Sequence, residues 1–319
     1  MPPTINKQSP PKPAQVSSNG SILSQAVPVA SIKEAYVKIC LYGRNRIGKT
    51  TLACQFPKPL LLIAMEPTET GGAMSVTGID GVSVIQIAAK PLRGPDGKLE
   101  RVYGSAKALT LAKELLEANP FKTVVLDTAT AYQDIILTEI MGLSAVPEML
   151  SWGMASMDQY RDRSSKTREA LRPFLDLKCH VVVTAQEKDH NPPEGMASKL
   201  TRTMQQESFM AADLGGATVK WLHDACGYIG QLYQDMQTRT VVNEVKIGNV
   251  VRKDERQEPT GKIVRRLRTL YHPCFAAGFR SPSPEAVPEW IEATSPKEMY
   301  DAMMQVISGV KTPKGKYPT

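Results

Sequence analysis

The stretch Gly43-Arg44-Asn45-Arg46-Ile47-Gly48-Lys49-Thr50 decides how the rest of the chain reads. It fits G-x-x-x-x-G-K-[ST], and its surroundings give the pattern weight. The apolar run Tyr36–Tyr42 (YVKICLY) before it reads as a buried strand, and a short helical segment, Lys49–Gln55, follows and stops before Pro57. The spacing has a chemical reason. Two glycines let the backbone wrap closely enough for its N–H groups to cradle phosphate oxygens. The start of the following helix adds the positive end of its dipole. In such a loop Lys49 reaches the β- and γ-phosphates, and the Thr50 hydroxyl takes one position on Mg²⁺. The expected nucleotide-binding set is therefore Gly43, Arg44, Asn45, Arg46, Ile47, Gly48, Lys49, Thr50 and Thr51. Arg44 and Arg46 stand where small residues are common. Solvent, phosphate, a neighbouring subunit and DNA are the open partners for them.

Working outward, strands and helices alternate. Leu60–Ala64 (LLLIA), Val82–Ile87, Thr123–Asp127 (TVVLD) and His180–Ala185 (HVVVTA) read as strands. Ser105–Ala118, with Ser105 as its cap, Thr130–Met141 and Ala155–Leu175 read as helices. This alternation implies crossover connections and a mostly parallel sheet. After Asp213 the pattern changes to three consecutive strands, Gly227–Tyr233, Thr240–Ile247 and Lys262–Leu270, which suggests an antiparallel extension. A helix over Pro296–Ser308 closes the chain, with Ser295 and Glu298 as a capping box and Gly309 as its stop. The expected fold is α/β, with a mostly parallel central sheet, helices on both faces and an antiparallel C-terminal extension. The expected organisation is a flexible Pro/Ser-rich tail over 1–33, a core over 34–280, a linker and helix over 281–310 and a basic tail over 311–319.

A phosphate loop of this kind needs an acid at the tip of a nearby buried strand, to hold Mg²⁺ directly or through water. The run Val124-Val125-Leu126 leads straight into Asp127, which makes Thr50 and Asp127 the expected metal pair. The competing role for Asp127 is capping the helix that follows it.

With these motifs in place, the chain resembles the RecA/RadA-like ATPases, and most closely the phage-encoded Sak-type recombination ATPases, over about Tyr36 to Arg280. The resemblance implies a RecA-like fold, ATP and Mg²⁺ as cofactors, and hydrolysis. It makes Glu66, at the end of Leu60-Leu61-Leu62-Ile63-Ala64-Met65-Glu66, the residue that activates water, with Glu69 as the competitor. The family often has an Asp where this chain has Ala64. It matches Asp127-Thr128 to the family's Asp-Ser/Thr, and Gln186, at the end of Val181-Val182-Val183-Thr184-Ala185-Gln186, to the γ-phosphate sensor. The expected catalytic set is thus Lys49, Glu66 and Gln186. Trp152-Gly153 with Tyr160, Arg265–Leu270 and Phe279-Arg280 are looser matches. The resemblance also implies DNA-stimulated action on single-stranded DNA in recombination or annealing, assembly into a homo-oligomeric ring or filament, and a single-strand-binding protein as a further partner. A neighbour's γ-phosphate would then be met by Lys246, Arg265, Arg266, Arg268 or Arg280. The runner-up is a ParA/MinD-like or other nucleotide-gated assembly factor. Its loop reads K-G-G-x-G-K-T, whereas Arg44 and Asn45-Arg46 stand here. A GTPase would need N-K-x-D after the loop, and none is present.

Composition narrows the setting. The chain has 319 residues, 42% of them hydrophobic, which suits a globular protein with a sizeable core. No run approaches the length of a membrane span, and MPPTINKQSPPKPAQ lacks the apolar centre of a secretory signal. Five cysteines, scattered and without a CxxC pair, fit a reducing cytoplasm, the host's if the gene is a phage's. The net charge is +7, but Lys7, Lys12, Lys311, Lys314 and Lys316 place five of those charges in acid-free tails. Any DNA contact is therefore expected on local patches. These are the long stretch Glu187–Ala217, with Lys188, His190, Lys199 and Arg202; the helix bearing Arg161, Arg163, Lys166, Arg168 and Arg172; and the run Arg252–Arg268. Trp152, Tyr160, Phe209 and Trp221 are expected in core or interface rather than stacked on bases.

Overall fold

The computed structural model describes residues 36–66, 71–87, 92–93, 99–100, 104–142, 155–189, 210–247, 250–272 and 274–309. In chain order the elements begin with β1 (Lys38–Gly43), α1 (Lys49–Ala53), β2 (Leu60–Ala64), β3 (Val82–Gln86), the short pair β4 (Leu92–Arg93) and β5 (Leu99–Glu100), and α2 (Gly104–Glu117). Then come β6 (Thr123–Asp127), α3 (Ala129–Ile140), α4 (Met157–Leu175), β7 (His180–Asp189), β8 (Met210–Ala212) and α5 (Gly216–Ala225). The chain continues through β9 (Tyr228–Ile247), β10 (Val250–Arg268), β11 (Gly278–Phe279), β12 (Trp290–Ala293) and α6 (Pro296–Ser308).

The central sheet has the order β12-β10-β9-β1-β7-β6-β2-β3. The pairs from β9 to β3 are all parallel, while β10 and β12 continue the sheet antiparallel beyond β9. Short β11 and β8 pair antiparallel with β9 and β7. The expected α/β class therefore holds, with its antiparallel part at the C-terminal end.

Period-two alternation on the inner strands explains why helices cover both faces. Leu61, Ile63, Val124, Leu126, Val181 and Val183 point to one face, against α2, α3, α4 and α5. Leu60, Leu62, Val125 and Val182 point to the other, against α1 and α6. A strand buried on both sides reads as an unbroken apolar run, which is why LLLIA, TVVLD and HVVVTA were recognisable.

Three local expectations change. The runs read as Gly227–Tyr233 and Thr240–Ile247 are one strand, β9. No Gly or Pro between Leu232 and Thr240 interrupts the extended chain, and its start pairs parallel with β1 rather than antiparallel. Ser105 lies inside α2, not before it, and its hydroxyl and N–H both donate to Glu139. Glu298 does not close a reciprocal capping box. The Ser295 hydroxyl accepts from Glu298 N–H at 3.2 Å, but the Glu298 carboxylate accepts from Thr294, at 2.9 and 2.7 Å. The elements α5 and β12, and the short strands β4, β5, β8 and β11, had no sequence expectation. The Gly215-Gly216 start of α5 argues against a helix by propensity, but Val219 and Leu222 gain more by burial. Trp152-Gly153 lies outside the described residues.

The parallel strands carry the fold's stability, so Leu62→Ala, fully buried beneath α1 and α6, is expected to cost about 2–5 kcal/mol in urea unfolding without changing secondary structure at low denaturant.

Candidate functional site

Parallel pairing brings the carboxyl ends of four strands to one edge. Gly43 on β1 lies opposite Gln186 on β7, and Ala64 on β2 lies opposite Asp127 on β6. Ligands of open α/β sheets bind at this edge. Here it faces a cavity of about 720 Å³, whose lining includes Lys49, Thr50, Glu66, Gly72, Asp127 and Gln186.

The loop between β1 and α1 is shaped by its glycines. A Cβ on Gly43 would come within 2.2 Å of the Leu232 carbonyl oxygen, so the loop's first turn needs a residue without one. Gly48 caps α1 at φ 103°, a conformation that side chains resist. Arg46 also adopts a positive φ, 62°, which costs on the order of 1 kcal/mol and closes the loop without a third glycine. Lys49 is 7% exposed. Its Nζ donates to the Gly43 and Arg44 carbonyls, at 2.8 and 2.7 Å, and an ammonium has one more N–H to direct elsewhere. Burial lowers its pKa, opposed by the charges of Asp127, Glu187 and Glu66. Asn45, Arg46, Gly48 and Thr51 line the cavity. Gly43, Arg44 and Ile47 do not. Arg44 Nε meets Glu187 Oε1 at 3.0 Å in its own chain, and Ile47 is buried in the core.

Asp127 is 4% exposed and is held from both sides. The Thr50 hydroxyl donates to Oδ2 at 2.9 Å, and the Thr184 hydroxyl donates to Oδ1. The helix-capping role falls to Thr128, whose hydroxyl accepts from Ala131 N–H at 3.1 Å. A Cβ on Gly72, the first residue of the 3-10 helix Gly72–Val76, would sit 2.4 Å from both Thr50 Oγ1 and Asp127 Oδ2. The glycine thus keeps a side chain off the pair. One hydroxyl and one carboxylate, both hard oxygens, with no side chain between them, fit Mg²⁺, which uses few protein ligands together with phosphate oxygens and water. Among the described residues no cluster of three or more His, Cys, Asp or Glu offers an all-protein metal cage.

Glu66 follows β2 and stands at the cavity wall. Burial raises its pKa, the Asp127 charge adds to the rise, and Lys49 opposes it. Glu69 lies outside the described residues. Gln186 also lines the cavity, and its backbone is fixed. Its N–H donates to Thr130 Oγ1 at 3.0 Å, and its carbonyl accepts from Asp213 N–H at 2.7 Å.

The arginines at the sheet's other end separate by partner. Arg266 pairs with Asp235 and, at 3.0 Å, Glu292, and packs on Trp290. Arg268 pairs with Glu289 at 3.1 Å and packs on Tyr233 and Phe275. Both are structural within their own chain. Arg265 makes no ion pair among the described residues and lines the loop's own cavity. Arg280 is exposed. Lys188 pairs with Asp213 at 3.4 Å. On α4, Arg161, Lys166 and Arg172 are exposed, while Arg163 packs over Tyr160 and Arg168 bonds to Ser164 and Ser165. Trp221 packs against the core. His190, Lys199, Arg202, Phe209 and the side chain of Lys246 lie outside the described residues.

Three site residues had no sequence expectation. Thr184 was visible as a polar residue inside an apolar strand, Gly72 as half of a Gly-Gly just past β2, and Glu187 as the acid beside Gln186. Gly72→Ala is expected to weaken ATP binding about 10–100-fold in Mg²⁺ but leave it unchanged in EDTA, measured by titration calorimetry.

An AAA domain family model (AAA_24) matches residues 35–281. Solved structures similar to this chain include a KaiC-like protein from Pyrococcus horikoshii OT3, 13% identical over 72% of this chain and 85% of that one, with a TM-score of 0.35. Another is the flagellar accessory protein FlaH from Methanocaldococcus jannaschii, 10% identical over 80% and 84%, with a TM-score of 0.32. No curated protein matches the chain. The family match spans the loop, both acid-tipped strands and the cavity they enclose, and the chain belongs to the AAA domain family of P-loop ATPases.

Proposed function

We propose that the chain binds ATP with Mg²⁺, hydrolyses it, and uses the cycle on single-stranded DNA as a homo-oligomer, in recombination or annealing of the phage type. The observation that carries the hydrolytic part is the convergence of Lys49, Thr50, Asp127, Glu66 and Gln186 on one cavity. Loop N–H groups and Lys49 hold the β- and γ-phosphates. Thr50 and Asp127 would hold Mg²⁺, which would supply charge neutralisation to the phosphates. Glu66 takes a proton from water as the water oxygen bonds to the γ-phosphorus. The bond from that phosphorus to the bridging oxygen breaks, releasing ADP and inorganic phosphate. A carboxylate whose proton affinity is raised by burial is a better acceptor for that proton.

Gln186 supports the coupling to DNA. It sits on β7, which runs from the cavity to Asp189 beside β8. The two strands bracket residues 190–209, the middle of the stretch Glu187–Ala217 that was read from sequence as a candidate DNA contact. Loss of the γ-phosphate at Gln186 would shift one continuous strand, whose Gln186 and Lys188 are both tied to Asp213, just past β8 at the far side of that stretch. The exposed cations of α4 offer a second local patch.

ATP turnover is measured with and without single-stranded DNA, across a salt series. Stimulation that fades as salt rises supports the DNA reading. Lys49→Ala is expected to lose at least about 100-fold in turnover, and Glu66→Gln to bind ATP but not turn it over. Turnover and ATP-dependent assembly that ignore DNA would favour a nucleotide-gated assembly factor, and unchanged turnover in Glu66→Gln would remove Glu66 as the base.

A further inference from the structure

A second, smaller hollow of about 110 Å³ adjoins the phosphate cavity. The two share Gly48, Thr51 and Arg265. The rest of the small hollow is largely apolar, walled by Leu52 of α1, Leu232 of β9, and Pro296 and Met299 of α6. The acids and the amide that face the terminal phosphate stand on β2, β6 and β7, on one side of β1. The small hollow lies toward β9 and β10, on the other side. A triphosphate laid along the loop with its γ-phosphate toward Glu66 and Gln186 therefore leaves the loop at Gly48 and Thr51, where the hollow begins.

Resting on the proposed nucleotide site, we infer that this hollow seats the nucleobase, and that the start of α6 is part of the nucleotide-binding surface. Aliphatic walls and a thioether suit the face of a planar aromatic ring. The Arg265 guanidinium, beside Gly48 at the junction of the two cavities, can lie over the face of the base. The Ser295 hydroxyl, which caps α6, accepts the Glu298 N–H and keeps its own O–H free to donate. The seat thus holds the base mainly by shape and stacking, with that one hydroxyl as a donor to a base edge. Ser295, Pro296 and Met299 lie beyond the stretch matched by the family model, so this wall belongs to the chain's own C-terminal region.

The test compares ATP with inorganic tripolyphosphate by titration calorimetry, using the full chain. Wild type is expected to bind ATP about tenfold or more tightly than tripolyphosphate. Met299→Ala is expected to lose most of that advantage while its tripolyphosphate affinity stays unchanged, which also shows that the phosphate site is intact. Should Met299→Ala not fold, Arg265→Ala, at an exposed position, is expected to lose more affinity for ATP than for tripolyphosphate. Equal wild-type affinities for the two ligands, or equal losses for both in these variants, would overturn the base seat alone. Binding of neither ligand by wild type would overturn the nucleotide reading as well.

Discussion

A carboxylate buried as deeply as that of Asp127 must find donors, because an unpaired charge in the interior costs several kcal/mol. It finds two, the hydroxyls of Thr50 and Thr184. That requirement binds together the start of α1, the end of β6 and the middle of β7, three segments distant in sequence. It also orders the sheet around the site, because β7 must lie beside β6 for Thr184 to reach Asp127, and beside β1 to carry Gln186 to the loop. The rest of the site hangs on this arrangement. Gly72 keeps its side-chain space clear beside the same pair, and the Asp127 charge reaches both Lys49 and Glu66.

The loop shows how charge is managed next to a phosphate site. Three cations stand within six residues, at Arg44, Arg46 and Lys49. The first is drawn off by Glu187, and the third is buried against loop carbonyls. Glu187 is itself held by Gln231 at 3.2 Å, so β9 also steadies the loop. The basic residues of the C-terminal strands divide in the same way. Arg266 and Arg268 hold the sheet edge through carboxylates and aromatic faces, while Arg265 is left at the nucleotide cavity.

Much of this was legible in the residues. Strands buried on both faces announce themselves as unbroken apolar runs, and Asp127, Glu66 and Gln186 each terminate or follow such a run. The phosphate loop carries its own geometry in its glycines. What was hidden depended on partners distant in the chain. The absence of Gly and Pro between Leu232 and Thr240 permits one strand over Tyr228–Ile247, but it is β10, paired with it from Gln231 to Ile247, that makes it one. The place of Ser105 is decided by Glu139. The closeness of Gly72 to Thr50 and Asp127 rests on the packing of the 3-10 helix Gly72–Val76 beside α1, which no periodicity reveals. α6 was readable as a helix from its caps, but its packing on α1, and so its place beside the nucleotide cavity, follows only from Met299, Met303 and Val306 entering the core.

The central claim is that Thr50 and Asp127 together hold a divalent cation at the end of a nucleotide seated on the loop. Electron paramagnetic resonance of Mn²⁺, standing in for Mg²⁺, measures it directly in the presence of a non-hydrolysable ATP analogue. Wild type is expected to hold one tightly bound Mn²⁺ per chain, and Asp127→Asn to bind it at least about tenfold more weakly. Undiminished Mn²⁺ binding in Asp127→Asn, with the nucleotide bound as in wild type, would contradict it.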